Sequence, residues 1–217
     1  MELHSDTITA VYRQLKKEFE KYRMPVVELI ELQTGDPFKV LITTILSART
    51  KDRTTAGAAQ RLFTKAGIPD DLDRLTVASI EQLIYPVGFY RDKARHLKAL
   101  PAVLRDRFGG VIPRTVEELC ELPGVGRKTA NLVVAVAFGK PAVCVDIHVH
   151  RIFNRLGYLR TKTPFETEME LRRHLPVRFW TTFNSYFVSF GQHLCRPVRP
   201  QCDECPVRKY CARTGVA

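Results

Sequence analysis

Four cysteines crowd into the last 23 residues of the 217-residue chain, spaced Cys195-x6-Cys202-x2-Cys205-x5-Cys211. This spacing constrains the fold more than any other feature, because it places four sulfurs on one compact loop. The N-terminus, Met1-Glu2-Leu3-His4-Ser5-Asp6, lacks the basic-then-apolar pattern of a secretory leader. A cytoplasmic chain is therefore expected, nucleoid-associated if prokaryotic. Disulfides are rare there, and clustered cysteines more often bind metal. Four thiolates can hold zinc or an iron–sulfur cluster. Common zinc ribbons use two Cys-x2-Cys knuckles, and this loop has one. The balance favours iron–sulfur over zinc, with unligated thiols as the remaining option. Cys120 and Cys144 lie among apolar residues and are expected to be inert core thiols.

Charge points to a polyanion. Lys plus Arg number 34 against 23 Asp plus Glu, a net +11, which favours nucleic acid through steering and counterion release. Arg196, Arg199, Arg208 and Lys209 share the cysteine loop. They form either a solvated basic rim or a surface offered to phosphates. The longest run without Asp, Glu, Lys or Arg, Phe179 to Cys195, is 17 residues and laced with polar side chains. A membrane span needs about 20 mainly apolar residues, so no membrane partner is expected. At 45% hydrophobic and 26% charged, the composition supports a packed core rather than disorder.

The periodicity is helical nearly throughout, and the fold class expected is all-α. Segment 6–23 carries Ile8, Val11, Tyr12, Leu15, Phe19 and Tyr22 at helical spacing. Asp36-Pro37 reads as an N-cap and first helical residue opening Phe38 to Ala48. Asp52 is a candidate cap for the next helix, Thr76 or Ser79 for another, and Thr115-Val116-Glu117-Glu118 resembles a capping box. Segment 89–107 reads as a basic amphipathic stretch that Pro101 should bend or split.

Leu122-Pro123-Gly124-Val125-Gly126-Arg127-Lys128-Thr129-Ala130-Asn131 joins two helical segments, the second running from about Arg127 to Phe138. Gly-x-Gly permits a tight turn whose backbone N–H groups face outward at a helix mouth. Such a mouth suits an anion, here a DNA phosphate, and the bland alternative is an ordinary glycine-rich connection. Neither a Walker loop nor a dinucleotide fingerprint fits the spacing. Lys128 sits in the first turn of the second helix. The helix dipole, Arg127 and burial would all disfavour its charge and so favour a nucleophilic amine. Its alternative role is a phosphate-binding or solvated lysine. Asp146 precedes the helical segment Ile147 to Leu156 and reads as an N-cap. A capped carboxylate held ionised would also serve a cationic sugar transition state. His148 is a candidate supporting residue or a satisfied core histidine.

Together these stretches resemble the endonuclease III family of DNA base-excision glycosylases. The resemblance rests on Leu41 to Ala48, Leu122 to Phe138, Val145 to Arg151 and the four-cysteine loop. It implies two α-helical domains with a DNA-binding cleft between them. A six-helix domain would span 30–140; residues 1–29 plus 141–217 would form a second domain carrying a [4Fe-4S] cluster on Cys195, Cys202, Cys205 and Cys211. It implies that a damaged nucleotide is flipped out of the duplex. Neutral Lys128 would attack C1′ and displace the base. Asp146 would activate the amine or stabilise the oxocarbenium charge. The Schiff base would allow β-elimination 3′ to the abasic site.

The same resemblance assigns DNA contacts to Arg49, Phe89, Gly124, Val125, Gly126, Arg127 and Thr129. Many bacterial members carry Gln where this chain has Arg49, and use it to fill the gap left by the flipped base. The longer, charged Arg implies a different pairing with the orphaned base. Phe89 matches a loop that inserts an apolar wedge, with core packing as its alternative. The expected partner is double-stranded DNA carrying damaged bases or abasic sites, bound by a monomer. The activity expected is a bifunctional glycosylase/lyase on oxidised or reduced pyrimidines. A glycosylase for thymine or uracil opposite guanine is the alternative that Arg49 keeps open. A non-catalytic DNA-binding module would need neither Lys128 nor Asp146, and an electron carrier would leave the hairpin and the charge unexplained.

Overall fold

The computed structural model describes residues 5–21 and 26–216. All regular structure among them is helical. The chain groups into two compact units, Pro25–Lys140 and Met1–Met24 with Pro141–Ala217.

The continuous unit contains α2 (Val26–Thr34), α3 (Pro37–Ser47), α4 (Asp52–Phe63), α5 (Pro69–Arg74), α6 (Val77–Ile84), α7 (Tyr90–Phe108), α8 (Val116–Leu119) and α9 (Arg127–Phe138). These are eight helices where six were expected, because one-turn elements opened by Pro69 and by the Thr115 cap stand separately. Helix α3 is its centre. Val40, Leu41, Ile42, Ile45 and Leu46 are all buried, and the helix packs on α2, α4, α7 and α9. Asp36 accepts from Phe38 N and Pro37 supplies the first turn, as the sequence leads one to expect. Thr76 rather than Ser79 caps α6, and Thr115 Oγ1 accepts from Glu118 N. Asp52 is the first residue of α4 and does not cap it; Lys51 occupies that position. Pro101 neither ends nor splits α7, which runs for 19 residues. One lost hydrogen bond is outweighed there by burial of Ala94, Leu97, Leu100 and Leu104 against α5 and α6.

The other unit joins α1 (Ser5–Phe19) to α10 (Ile147–Leu156), α11 (Pro164–His174), α12 (Phe183–His193) and the cysteine loop. Tyr22 lies outside the described residues. Ile8, Val11 and Leu15 of α1 share a core with Ile152, Phe153, Phe183 and Phe187. Phe153 and Phe187 stack with centroids 4.6 Å apart and planes 9° from parallel, a pairing worth more than its area alone. Cys144 is buried here, but Cys120 is exposed, which corrects its expected place in a core. Cys120 is the residue after the short α8, whose buried positions are Val116 and Leu119.

Candidate nucleic-acid interface and catalytic residues

The glycine hairpin is built by local chemistry. Gly124 has φ +75°, and a Cβ there would lie 2.8 Å from His96 Nδ1. Only glycine accommodates both the backbone and the close approach. Gly126 is the N-cap of α9 and supplies no side-chain acceptor to its first turn. The hairpin expectations need three corrections. Val125 is buried at 6% and its N–H already donates to Leu122 O, so it is spent on the turn. Thr129 is buried, with 8% of its surface exposed. Lys128 is exposed rather than buried. Asp52, at the start of α4, lies within the electrostatic reach of Lys128.

Arg49 and Phe89 come from separate loops and meet. The Arg49 guanidinium sits 5.3 Å from the Phe89 ring centroid, a cation–π contact. Both residues adopt left-handed backbone, at φ +54° and +57°, a conformation costing about 1–3 kcal/mol each for non-glycine residues. Phe89 is 59% exposed, which rules out core packing. Arg49, Phe89, Asp92, His96 and Gly124 line one open groove of about 370 Å³. The structure thus brings the apolar ring, the arginine and the hairpin glycine to a shared surface.

In the other unit, Asp146 caps α10. One carboxylate oxygen accepts from His148 N at 2.8 Å and Val149 N at 2.9 Å. His148 Nδ1 lies 3.1 Å from Arg151 Nη2 and against Gly191, where a Cβ would approach to 2.7 Å. His148 is therefore a half-buried, hydrogen-bonded residue two positions after Asp146. Arg151 also donates to Cys195 O and Gly191 O, which ties α10 to the cysteine loop. The sequence placed Arg151 in the Val145 to Arg151 stretch but gave it no role, because its acceptors lie 40 and 44 positions downstream.

Cys195, Cys202, Cys205 and Cys211 line a single cavity walled by Ile152, Leu156, Phe190, Leu194 and Val207. Burial pushes the Cys205 thiol up to about 11, and the three neighbouring cysteines push the same way. Grouped sulfurs of that kind need a cationic partner to become thiolates. Donors already point at them. Arg155 Nη1 reaches Cys195 Sγ at 3.5 Å and Arg213 N reaches Cys211 Sγ at 3.4 Å. Arg155 also holds the loop backbone through Arg196 O and Pro197 O. Of the four basic loop residues, Arg208 is paired with Asp203; all four are exposed.

Comparison with known proteins places this geometry. Residues 42–177 match the HhH-GPD superfamily base excision DNA repair protein family. The chain belongs to this superfamily. It is 46% identical to Endonuclease III of Thermotoga maritima, over 81% of this chain and 83% of that one. It is 44% identical to the longer bovine Endonuclease III-like protein 1, over 80% of this chain but 58% of that protein. A trapped Endonuclease III–DNA covalent intermediate superposes with a TM-score of 0.86 at 37% identity, covering 97% of each chain. A thermostable thymine-DNA glycosylase superposes at 0.84 with 26% identity, covering 96% of each. The chain is a member of the endonuclease III family within the HhH-GPD superfamily. Among its described residues, no helix is long and apolar enough to cross a membrane.

Proposed function

We propose that this chain is a bifunctional DNA glycosylase and AP lyase of base excision repair, acting on oxidised or reduced pyrimidines in double-stranded DNA. The observation that carries the reading is an exposed lysine, Lys128, in the first turn of α9 directly behind the Gly124–Gly126 hairpin. A lysine so placed can reach a sugar while the helix mouth holds the adjacent phosphate. The Lys128 amine, after losing its proton, attacks C1′ of a flipped nucleotide and the base leaves with the glycosidic electron pair; the nitrogen then gives up a proton, its lone pair closes the C=N bond as the C1′–O4′ bond breaks, and O4′ is protonated. Loss of a proton from C2′ of the resulting Schiff base then expels the 3′ phosphate by β-elimination. The trapped covalent intermediate of the 37% identical relative supports a covalent step.

Asp146 supplies fixed negative charge for the oxocarbenium-like transition state, and its two backbone hydrogen bonds pre-orient it. Gly124, Gly126 and Arg127, with the backbone of Thr129, position a phosphate. Arg49 and Phe89 enter the duplex where the nucleotide leaves. Cys195, Cys202, Cys205 and Cys211 hold a [4Fe-4S] cluster, which fixes the loop as a rigid body. The four sulfurs line one cavity with apolar walls, and four thiolates grouped on one short loop are a donor set that suits an iron–sulfur cluster.

The test is incision of duplexes carrying thymine glycol, dihydrouracil, G·T, G·U or an abasic site, with borohydride added to trap the imine. Strand cleavage with a trapped adduct that Lys128→Ala abolishes is the expected result. Cleavage that persists in that variant overturns the assignment. Arg49 favours a second reading, removal of thymine or uracil opposite guanine, and incision confined to G·T and G·U would select it.

A further inference from the structure

Lys93 carries a buried charge that the reaction just described does not use. It lies in the first turn of α7, only 7% exposed. Its Nζ donates to Leu46 O at 2.8 Å, Ala48 O at 2.6 Å and Thr50 Oγ1 at 3.4 Å. All three acceptors belong to one stretch, the end of α3 and the turn after it. The final carbonyls of a helix lack intrahelical partners and carry its negative pole, so a cation is well placed there. Three convergent acceptors match the three donors of an ammonium. Burial nevertheless pushes the amine down to about 8, so holding it there costs free energy that the loop contacts must offset.

What Lys93 holds is the meeting point of the two loops. Thr50 Oγ1, one of its acceptors, also accepts from Gly88 N at 3.1 Å. The backbones touch so closely that a Cβ on Gly88 would lie 2.6 Å from Arg49 O. The Lys93 backbone N–H donates to Phe89 O at 3.1 Å. Arg49 and Phe89, both left-handed, therefore sit between contacts to the same residue. Strained conformations persist only where the surroundings over-determine them; here the ammonium grips both sides of Arg49 directly, at Ala48 O and Thr50 Oγ1, and reaches the Phe89 loop through the Thr50 Oγ1 that Gly88 N also bonds.

We propose that Lys93 is the positioning residue for the Arg49–Phe89 pair, locking the two loops so that ring and guanidinium enter DNA as one preformed unit. The inference rests on the reading that this pair enters the duplex, and the experiment separates the two. Lys93→Met, Arg49→Ala, Phe89→Ala and the Lys93→Met/Phe89→Ala double variant are compared on whichever lesion duplex of the panel is cut fastest. Single-turnover base excision, cleavage at a preformed abasic site and the fluorescence of 2-aminopurine beside the lesion are read in each.

Lys93→Met is expected to slow excision about tenfold and to suppress the rise in 2-aminopurine fluorescence, since small misplacements cost such factors. Cleavage at the preformed abasic site, where no base pair remains to be opened, should slow less than about threefold. The double variant should excise no more slowly than Phe89→Ala, because residues acting through one another are not additive. Parallel loss of both activities, or additive effects, would mean that Lys93 only supports the fold, and the proposal fails. Wild-type excision by both Arg49→Ala and Phe89→Ala would instead remove the reading beneath it. Should Lys93→Met not fold, Thr50→Val cuts the same link by deleting one hydroxyl. Slower excision without added loss in Phe89→Ala supports the lock, and unchanged excision overturns it.

Discussion

Two substitutions separate the capping role of Asp146 from the electrostatic role proposed for it. As the N-cap of α10 it accepts from two backbone N–H groups, at 2.8 and 2.9 Å. Removing a cap costs about 0.5–2 kcal/mol, and two accepted bonds place Asp146→Ala near about 1.5 kcal/mol. For a chain of this length each kcal/mol lowers Tm by about 2–4 °C, so a fall of about 3–6 °C is expected. Asp146→Asn keeps an oxygen in the same place and should melt within about 2 °C of the wild type, because Asn caps about as well as Asp. Both variants lose the charge. Single-turnover excision should fall about 10²–10³-fold in each, the scale seen when one preorganised electrostatic group is removed. Circular dichroism melts and quenched-flow excision on one lesion duplex supply the readouts. Wild-type excision by Asp146→Asn would refute the role of the charge. A melt as low as that of Asp146→Ala would refute the role of the cap.

Phe153→Ala should cost about 3–5 kcal/mol in urea unfolding, since it empties a fully buried stacked site; a loss below about 1 kcal/mol would contradict that packing. Gly124→Ala combines a left-handed backbone with a Cβ 2.8 Å from His96 Nδ1. It should destabilise by about 1–3 kcal/mol and weaken binding to abasic-site duplex in fluorescence anisotropy, and His96→Ala added to it should restore only part of the stability. Burial lowers the pKa of His150, so the unfolded chain takes up the proton first as pH falls. The stability that neutral His150 contributes is present above the unfolded value of about 6.5 and is lost as pH drops through the lower folded value. Tm measured from pH 7.5 to 5 should therefore fall less steeply in His150→Asn, and an unchanged slope would exclude this group as a source. Arg155→Met removes donors to Arg196 O and Pro197 O and should speed amide hydrogen exchange across residues 195–201, as equal protection in wild type and variant would disprove.

Helix caps, the hairpin and the cysteine spacing were readable because each is a local matter. Asp36, Thr115 and Asp146 bond to amides two or three residues away, and Gly124 answers to its own φ. A cap or a turn needs no partner outside its own window of sequence. Lys93 looked like one more base on an amphipathic stretch, because its three acceptors lie 43 to 47 positions upstream. Phe89 could be core or wedge until Arg49 stacked on it across 40 residues. Cys120 and Val125 went the other way, since apolar neighbours in sequence do not say which face of a turn meets the interior. The chain alone thus set where helices begin and which chemical groups are present. Burial and contacts between distant segments, which depend on how those helices pack, decided which of the groups are exposed and which residues they meet.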